Sequence, residues 1–202
     1  MTAKKMAIHS CGLMLWTMAC SLGYAITGLA ADKPLPTAQL PVIITTCGQS
    51  PGALLVKVLC DKNKILAEQN ELLKAEALAA KAKEGKPYKT LIITMGTSLK
   101  GMGAAGIDID LEIKRMNALI NEAKKQKMLI IGAHIEGKSR RADETDTASI
   151  NAVAPHSSLL IIRNDGNEDG LFSKIAEKQG IPLVGIKETL DLGDVLKRLF
   201  KM

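Results

Sequence analysis

The chain has 202 residues, a formal charge of +6, and 47% hydrophobic but only 2% aromatic residues. A basic excess this mild, spread along the sequence and nearly without aromatic rings, gives no nucleic-acid footprint and no base-stacking platform. That class of function is excluded.

Lys4 and Lys5 precede an apolar run over residues 11–31, and Gly28 and Ala30 sit where a signal peptidase wants small residues. This is the layout of a secretory leader over residues 1–30. Roughly twenty apolar residues also suffice for a retained anchor, and Cys20 is a third option as a lipidated cysteine. All three readings put the rest of the chain outside the cytoplasm, and a membrane contact is expected only through the leader, if it is uncleaved. Loss of the leader removes Lys4 and Lys5 and no acid, leaving +4. About 170 residues remain, enough for one domain with a proper core. Residues 31–40 carry Pro34, Pro36 and the approach to Pro41, an extended tether before a domain at 41–202.

Five short apolar, β-branched runs follow: PVIITTC (41–47), TLIITMG (90–96), MLIIGAH (128–134), SLLIIRN (158–164) and IPLVGI (181–186). Their continuous hydrophobicity suits parallel strands covered on both faces. Helical segments alternate with them. An apolar helix at 51–61 starts at Ser50-Pro51, and a charged amphipathic helix spans 62–83. Residues 110–125 space Ile113, Met116, Leu119 and Ile120 on one face. Further helices are expected at 145–153, 171–178 (stopped by Gly180) and 194–201. Strict β-α alternation predicts a three-layer, doubly wound α/β domain, Rossmann-like or flavodoxin-like. Its five-stranded parallel sheet has the order 2-1-3-4-5 and a ligand cleft at the carboxyl ends of the strands.

Cys47 and Cys60 are the cysteines of this domain. The helix from Pro51 puts Cys60 about 14 Å along its axis, whereas bridged Cα atoms lie within about 7 Å; two free thiols are expected.

Three motifs invite nucleotide or metal readings, and each fails on its flanks. GAHIEGKS (132–139) fits a phosphate loop, but polar SRRADETD follows where a helix should open, and Glu136 would repel anions. GMGAAG (101–106) matches a dinucleotide fingerprint, yet Thr97 through Lys100 separate it from its strand, leaving a flexible glycine loop. DGNEDG (165–170) starts like a calcium loop, but Ala176 stands where a bidentate Glu is needed; Asp169 is instead a helix cap. No cofactor and no metal is implied; His134, Glu136, Asp143 and His156 share no ligand spacing.

The polar residues that end the first four strands are more informative. Gln49, Ser50, Ser98, Lys100, His134, Lys138, Arg141 and Asn164 are expected to meet at one rim. With Arg140 they supply four cations, beside the free amides of the helix after Ser50-Pro51. That combination suits a small carboxylate- or phosphate-bearing ligand. A second reading makes the domain a hydrolase: Cys47, its thiol pKa lowered at a helix start, pairs with His134, and Asp165 or Glu136 orients the imidazole. A third is a non-catalytic interaction module acting through the 62–83 helix.

TTCGQSPGA, TLIITMGTSLKGMGAAGID, IIGAHIEGKSRRADETD and IIRNDGNEDGLFSKIA, in this order behind a leader, resemble a family of secreted bacterial proteins of unknown function. The likeness spans residues 41–192. It implies export, to a periplasm or beyond, and the α/β fold; it carries over no catalytic residue.

Overall fold

The computed structural model describes Met1 and residues 33–202. The expected leader and part of the tether fall on residues 2–32, outside the described residues. Each apolar run forms a strand: β1 (Val42–Cys47), β3 (Thr90–Met95), β4 (Leu129–His134), β5 (Leu159–Arg163) and β6 (Leu183–Ile186). Every residue of β1 and β3 is buried, as strands covered on both faces must be. All strand pairs are parallel, so the fold is the expected doubly wound α/β domain. Its sheet has six strands, in the order β2-β1-β3-β4-β5-β6.

The additional strand corrects the long charged helix. After α1 (Gly52–Lys62) the chain turns through Asn63 and Lys64 and forms β2 (Ala67–Gln69); only then does α2 (Ala75–Lys83) begin. Ile65 and Ala67 are buried while Leu66 and Glu68 are exposed, a period-two pattern inside a helix-rich composition. The glycine loop is corrected as well. GMGAAG lies in α3 (Leu99–Ala105), capped by Ser98 Oγ, which accepts from Gly101 N at 3.1 Å, and closed by Gly106 at φ +66°.

The remaining helices are α4 (Ile109–Lys125), α5 (Glu144–Val153), α6 (Leu171–Gln179) and α7 (Leu192–Phe200). On α7, Leu192, Val195, Leu196 and Leu199 are buried, an i, i+3, i+4, i+7 stripe that seats the helix. α1 and α7 cover one face of the sheet, packing on Val42, Ile44, Ile92, Ile131 and Ile161. α2, α4, α5 and α6 cover the other, around Ile43, Leu91, Ile93, Leu160 and Phe172. Each fully buried Ile, Leu or Phe contributes about 1.5–3 kcal/mol. Cys47 belongs to the second cluster and Cys60 to the first. Both are buried and free. Among the described residues no helix is long and apolar enough to cross a membrane.

Candidate functional site

At the carboxyl edge the chain leaves β1 toward β2 and leaves β3 the other way, so the connections diverge between β1 and β3. In open α/β sheets this is where ligands bind. The two departing loops are tied together there. Gln49 bridges Thr97 in an isolated antiparallel pair, and Ser98 N donates to Gly48 O at 2.7 Å. The approach needs glycines. A Cβ on Gly48 (φ +110°) would lie 2.5 Å from Gly96 O, and one on Gly101 would overlap the carbonyl oxygen of Gln49. Gln49 itself has φ +57°, a left-handed backbone that few non-glycine residues adopt.

What holds Gln49 in that conformation is a buried ion pair. Glu112 is fully buried on α4. Its Oε1 accepts from Gly48 N at 2.8 Å, Gln49 Nε2 at 2.9 Å and Arg115 Nη2 at 2.8 Å, and its Oε2 accepts from Arg115 Nε at 2.8 Å. Arg115 also donates to Thr46 O at 2.6 Å and to Leu73 O at 2.7 Å. One pair thus joins β1, α4 and the turn before α2. Sequence inspection passed over Glu112, although it precedes Met116 by four residues and shares the stripe of Leu119, Ile120 and Ala123. A carboxylate on an apolar stripe was the available signal. Asp146 repeats the pattern on α5. It is buried with Ser149, Ile150 and Val153, and its Oδ1 accepts from Thr97 N at 2.7 Å and Thr97 Oγ1 at 2.8 Å.

Beside Gln49 opens a groove of about 590 Å³, lined by Gln49, by Gln69 at the end of β2, by Asn70 and Glu71 of the turn after it, and by Gly101 and Ala104 of α3. Gln49 Nε2 donates to the backbone oxygen of Glu71 at 3.2 Å, tying the turn to the loop. The polar side chains of this lining are three amides and one carboxylate.

The residues expected at one rim all lie at the carboxyl edge but form two groups. Gln49, Ser50, Ser98 and Lys100 follow β1 and β3, while His134 ends β4 and Lys138, Arg141 and Asn164 follow β4 and β5. Asn164 is exposed and leans on Gly185 of β6, three strand spacings or about 14 Å from β1. The cations are largely engaged with neighbouring carboxylates. Lys138 pairs with Glu168 at 3.0 Å, Arg141 with Asp169 at 2.6 Å and Arg140 with Glu136 at 3.0 Å. Lys100, exposed on α3, has no ion pair among the described residues. The start of α1 is altered too. Pro51 is already helical (φ −69°, ψ −2°), so the cap position moves past Ser50; the Ser50 hydroxyl is buried and unpartnered. Glu136 Oε2 would lie 3.0 Å from a Cβ on Gly52, placing a carboxylate where a bound anion would need the first amides.

Cys47 and His134 are not brought together. β3 lies between their strands, a separation of about 9.6 Å, and both side chains are fully buried. Burial pushes the Cys47 thiol up to about 12, outweighing a hydrogen bond from Ser149; the expected activation at a helix start is reversed. Asp165, proposed as an orienter, is held down to about 2 by its pair with Arg163. His134 packs against Phe172 in a tilted arrangement, with ring centroids 5.0 Å apart and an interplanar angle of 46°, and its Nε2 donates to Arg140 O at 3.1 Å, leaving Nδ1 buried without a partner among the described residues. GKSR of the apparent phosphate loop is a single 3-10 turn, Gly137–Arg140.

The His134 environment has a measurable consequence. Burial, the main influence, pushes its imidazole below the ordinary value of 6.5. The unfolded chain therefore takes up the proton first, so this contribution to stability is complete above about pH 6.5 and fades as pH falls toward the depressed folded value. Between about pH 6.5 and 5, the melting temperature of wild type should fall more steeply than that of His134→Gln. Parallel slopes in a series of thermal melts would contradict this.

Among solved structures, the chain is similar to a psychrotrophic esterase, EstA, from Pseudoalteromonas sp. (13% identity, TM-score 0.37, covering 72% of this chain and 76% of that one). A GDSL-like lipase from Bacteroides thetaiotaomicron matches at 12% identity and TM-score 0.36, over 79% and 86% of the two chains. A GDP-L-fucose synthetase from Naegleria fowleri bound to NADP matches at 13% identity and TM-score 0.37, over 77% of this chain and about half (51%) of that one. Likenesses this remote transfer neither site residues nor activity. No curated protein matches the chain. The model of one family, described as Domain of unknown function (DUF6305), matches residues 39–200, and the chain belongs to that family.

Proposed function

We propose that this domain binds a small, uncharged molecule rich in hydroxyl or amide groups, of the polyol or sugar class, in the groove beside Gln49, and that it does so outside the cytoplasm. The observation that carries this reading is the fixing of Gln49. A strained backbone held by a buried ion pair and by two loops is the signature of a side chain kept in place before a ligand arrives. Both hydrogens of the Gln49 amide are engaged by Glu112 and by the Glu71 carbonyl, so Gln49 offers its oxygen as an acceptor; the amides of Gln69 and Asn70 both donate and accept, and the Glu71 carboxylate accepts. Such walls suit hydroxyl-bearing guests better than anions. The export half rests on the residue pattern of positions 1–31.

Lys100 favours a second reading, because a free cation one residue from the groove-lining Gly101 would select an anion instead.

Thermal melts against neutral polyols and sugars, carboxylates and phosphates separate the two. Binding at about 100 times Kd adds about 2.7 kcal/mol, or roughly 5–10 °C in Tm for a domain of this size. A neutral compound should give that shift with wild type and none with Ala104→Trp, which fills the groove. Stabilisation only by anions, abolished in Lys100→Ala, would establish the second reading. Silence across the panel would remove both.

A further inference from the structure

The cations that the sequence scatters are gathered by the fold at the end of the molecule opposite the groove. In a parallel α/β domain every crossover helix ends at the amino edge of the sheet, and the turn into the next strand lies there too. The last turns of α1, α2, α4, α6 and α7 each carry lysine or arginine. The adjoining turns add Lys64, Lys86, Lys89 and Lys127, and Lys201 follows α7; all five are exposed. Carboxylates in these same helix ends and turns are few: Asp61, Glu84, Glu122 and Glu177. Asp61 pairs with Lys57 and Glu122 meets Lys125 at 3.6 Å, while among the last-turn lysines Lys81 meets Glu68 at 3.7 Å and Lys197 meets Asp194 at 3.1 Å. Among the described residues the five named lysines form no ion pair, in contrast to Arg140, Arg141, Lys138 and Arg163 at the carboxyl edge.

Helix-dipole complementarity accounts for a basic residue in each last turn, but not for the turn lysines. Three of them stand where lysine is a poor choice. Lys64, Lys127 and Lys201 have φ +58°, +56° and +55°, a helix-terminating conformation that glycine adopts without penalty.

We propose that this amino edge docks on an anionic lipid surface. Two observations select lipid headgroups over other polyanions. The domain is entered at this edge: Lys33 reaches the turn at Gly180, and Ala38 N donates to Leu199 O near the end of α7 at 2.9 Å. In the sequence an apolar run, residues 11–31, precedes this entry, and an apolar segment combined with a polybasic surface is the pairing that gives stable membrane attachment. Second, the described aromatic residues Tyr88, Phe172 and Phe200 are buried or half-buried, so no stacking surface for single-stranded nucleic acid is presented. A domain resting on this edge holds the Gln49 groove away from the membrane.

Vesicle sedimentation of the full chain tests this, using phosphatidylcholine alone and phosphatidylcholine with about one-third phosphatidylglycerol. Binding should be at least tenfold stronger on the anionic vesicles and should drop to the neutral-vesicle level in about 1 M salt, where the Debye length is near 3 Å. Lys86→Glu/Lys89→Glu/Lys178→Glu should abolish the anionic preference, because each exposed lysine contributes separately; melting curves confirm that the variant is folded. Lys100→Glu/Lys138→Glu, at the opposite edge, should leave the preference intact. Equal binding to both vesicle types, an undiminished preference in the amino-edge variant, or tighter binding to a random DNA duplex than to anionic vesicles would each overturn the proposal.

Discussion

Replacing Glu112 with alanine is expected to lower the free energy of unfolding by about 3–5 kcal/mol, the usual consequence of leaving one partner of a buried ion pair alone. The side chain accepts four hydrogen bonds and is fully buried. Its removal leaves Arg115, nearly all of whose side chain is buried, without a counter-charge, and leaves the amide of Gly48 without an acceptor. Against a total stability of 5–15 kcal/mol for an ordinary domain, this is a large fraction. Urea denaturation gives the number. A loss below about 1 kcal/mol would mean that the pair contributes no more than an exposed one does. The double variant Glu112→Leu/Arg115→Leu should lose less than the sum of its parts, since an apolar pair of similar volume carries no stranded charge. It should still fail to bind at the groove, because Gln49 loses the acceptor that fixes its amide. Stability and binding therefore separate in that variant.

The core of the fold was legible because buried parallel strands advertise themselves: VIITTC, TLIITM and LLIIR leave few alternatives to strands covered on both faces. β2 was illegible for the opposite reason. It has three residues, and the Ala-, Leu- and Lys-rich sequence around it favours helix; its position comes from pairing with β1, a tertiary effect. α3 was masked by its glycines, which are poor helix formers, yet Gly101 is required there by the carbonyl of Gln49. The site was half legible. Residues such as Gln49 and Lys138 were assigned to the correct edge by topology alone. What sequence order does not encode is which acids face which bases. Glu168 and Asp169 lie about thirty residues beyond Lys138 and Arg141, and only the packing of the turns after β4 and β5 reveals that they neutralise them. The same holds in reverse at the amino edge, where lysines distant in sequence gather because α1, α2, α4, α6 and α7 all end there.

The tightness of the β1–β3 crossing yields the second large effect. Gly48→Ala is expected to cost at least about 3 kcal/mol, from two additive sources. At φ +110° an L-residue bears about 1–3 kcal/mol of backbone strain. The new methyl would also stand 2.5 Å from Gly96 O and 2.8 Å from Thr97 Cα, backbone atoms with no rotamer to move into. Gly103→Ala is the internal control. A Cβ there meets nothing within 4 Å and the residue is helical, so alanine should stabilise by about 0.5–1 kcal/mol. Opposite signs at two glycines, read from denaturant midpoints, would show that Gly48 serves the close approach of two loops rather than local flexibility. Equal and small effects would mean that the loops can separate, and then Gln49 would not be fixed before a ligand arrives. The groove reading depends on that rigidity, because an amide free to turn with its loop would bear the ordering cost at the moment of binding.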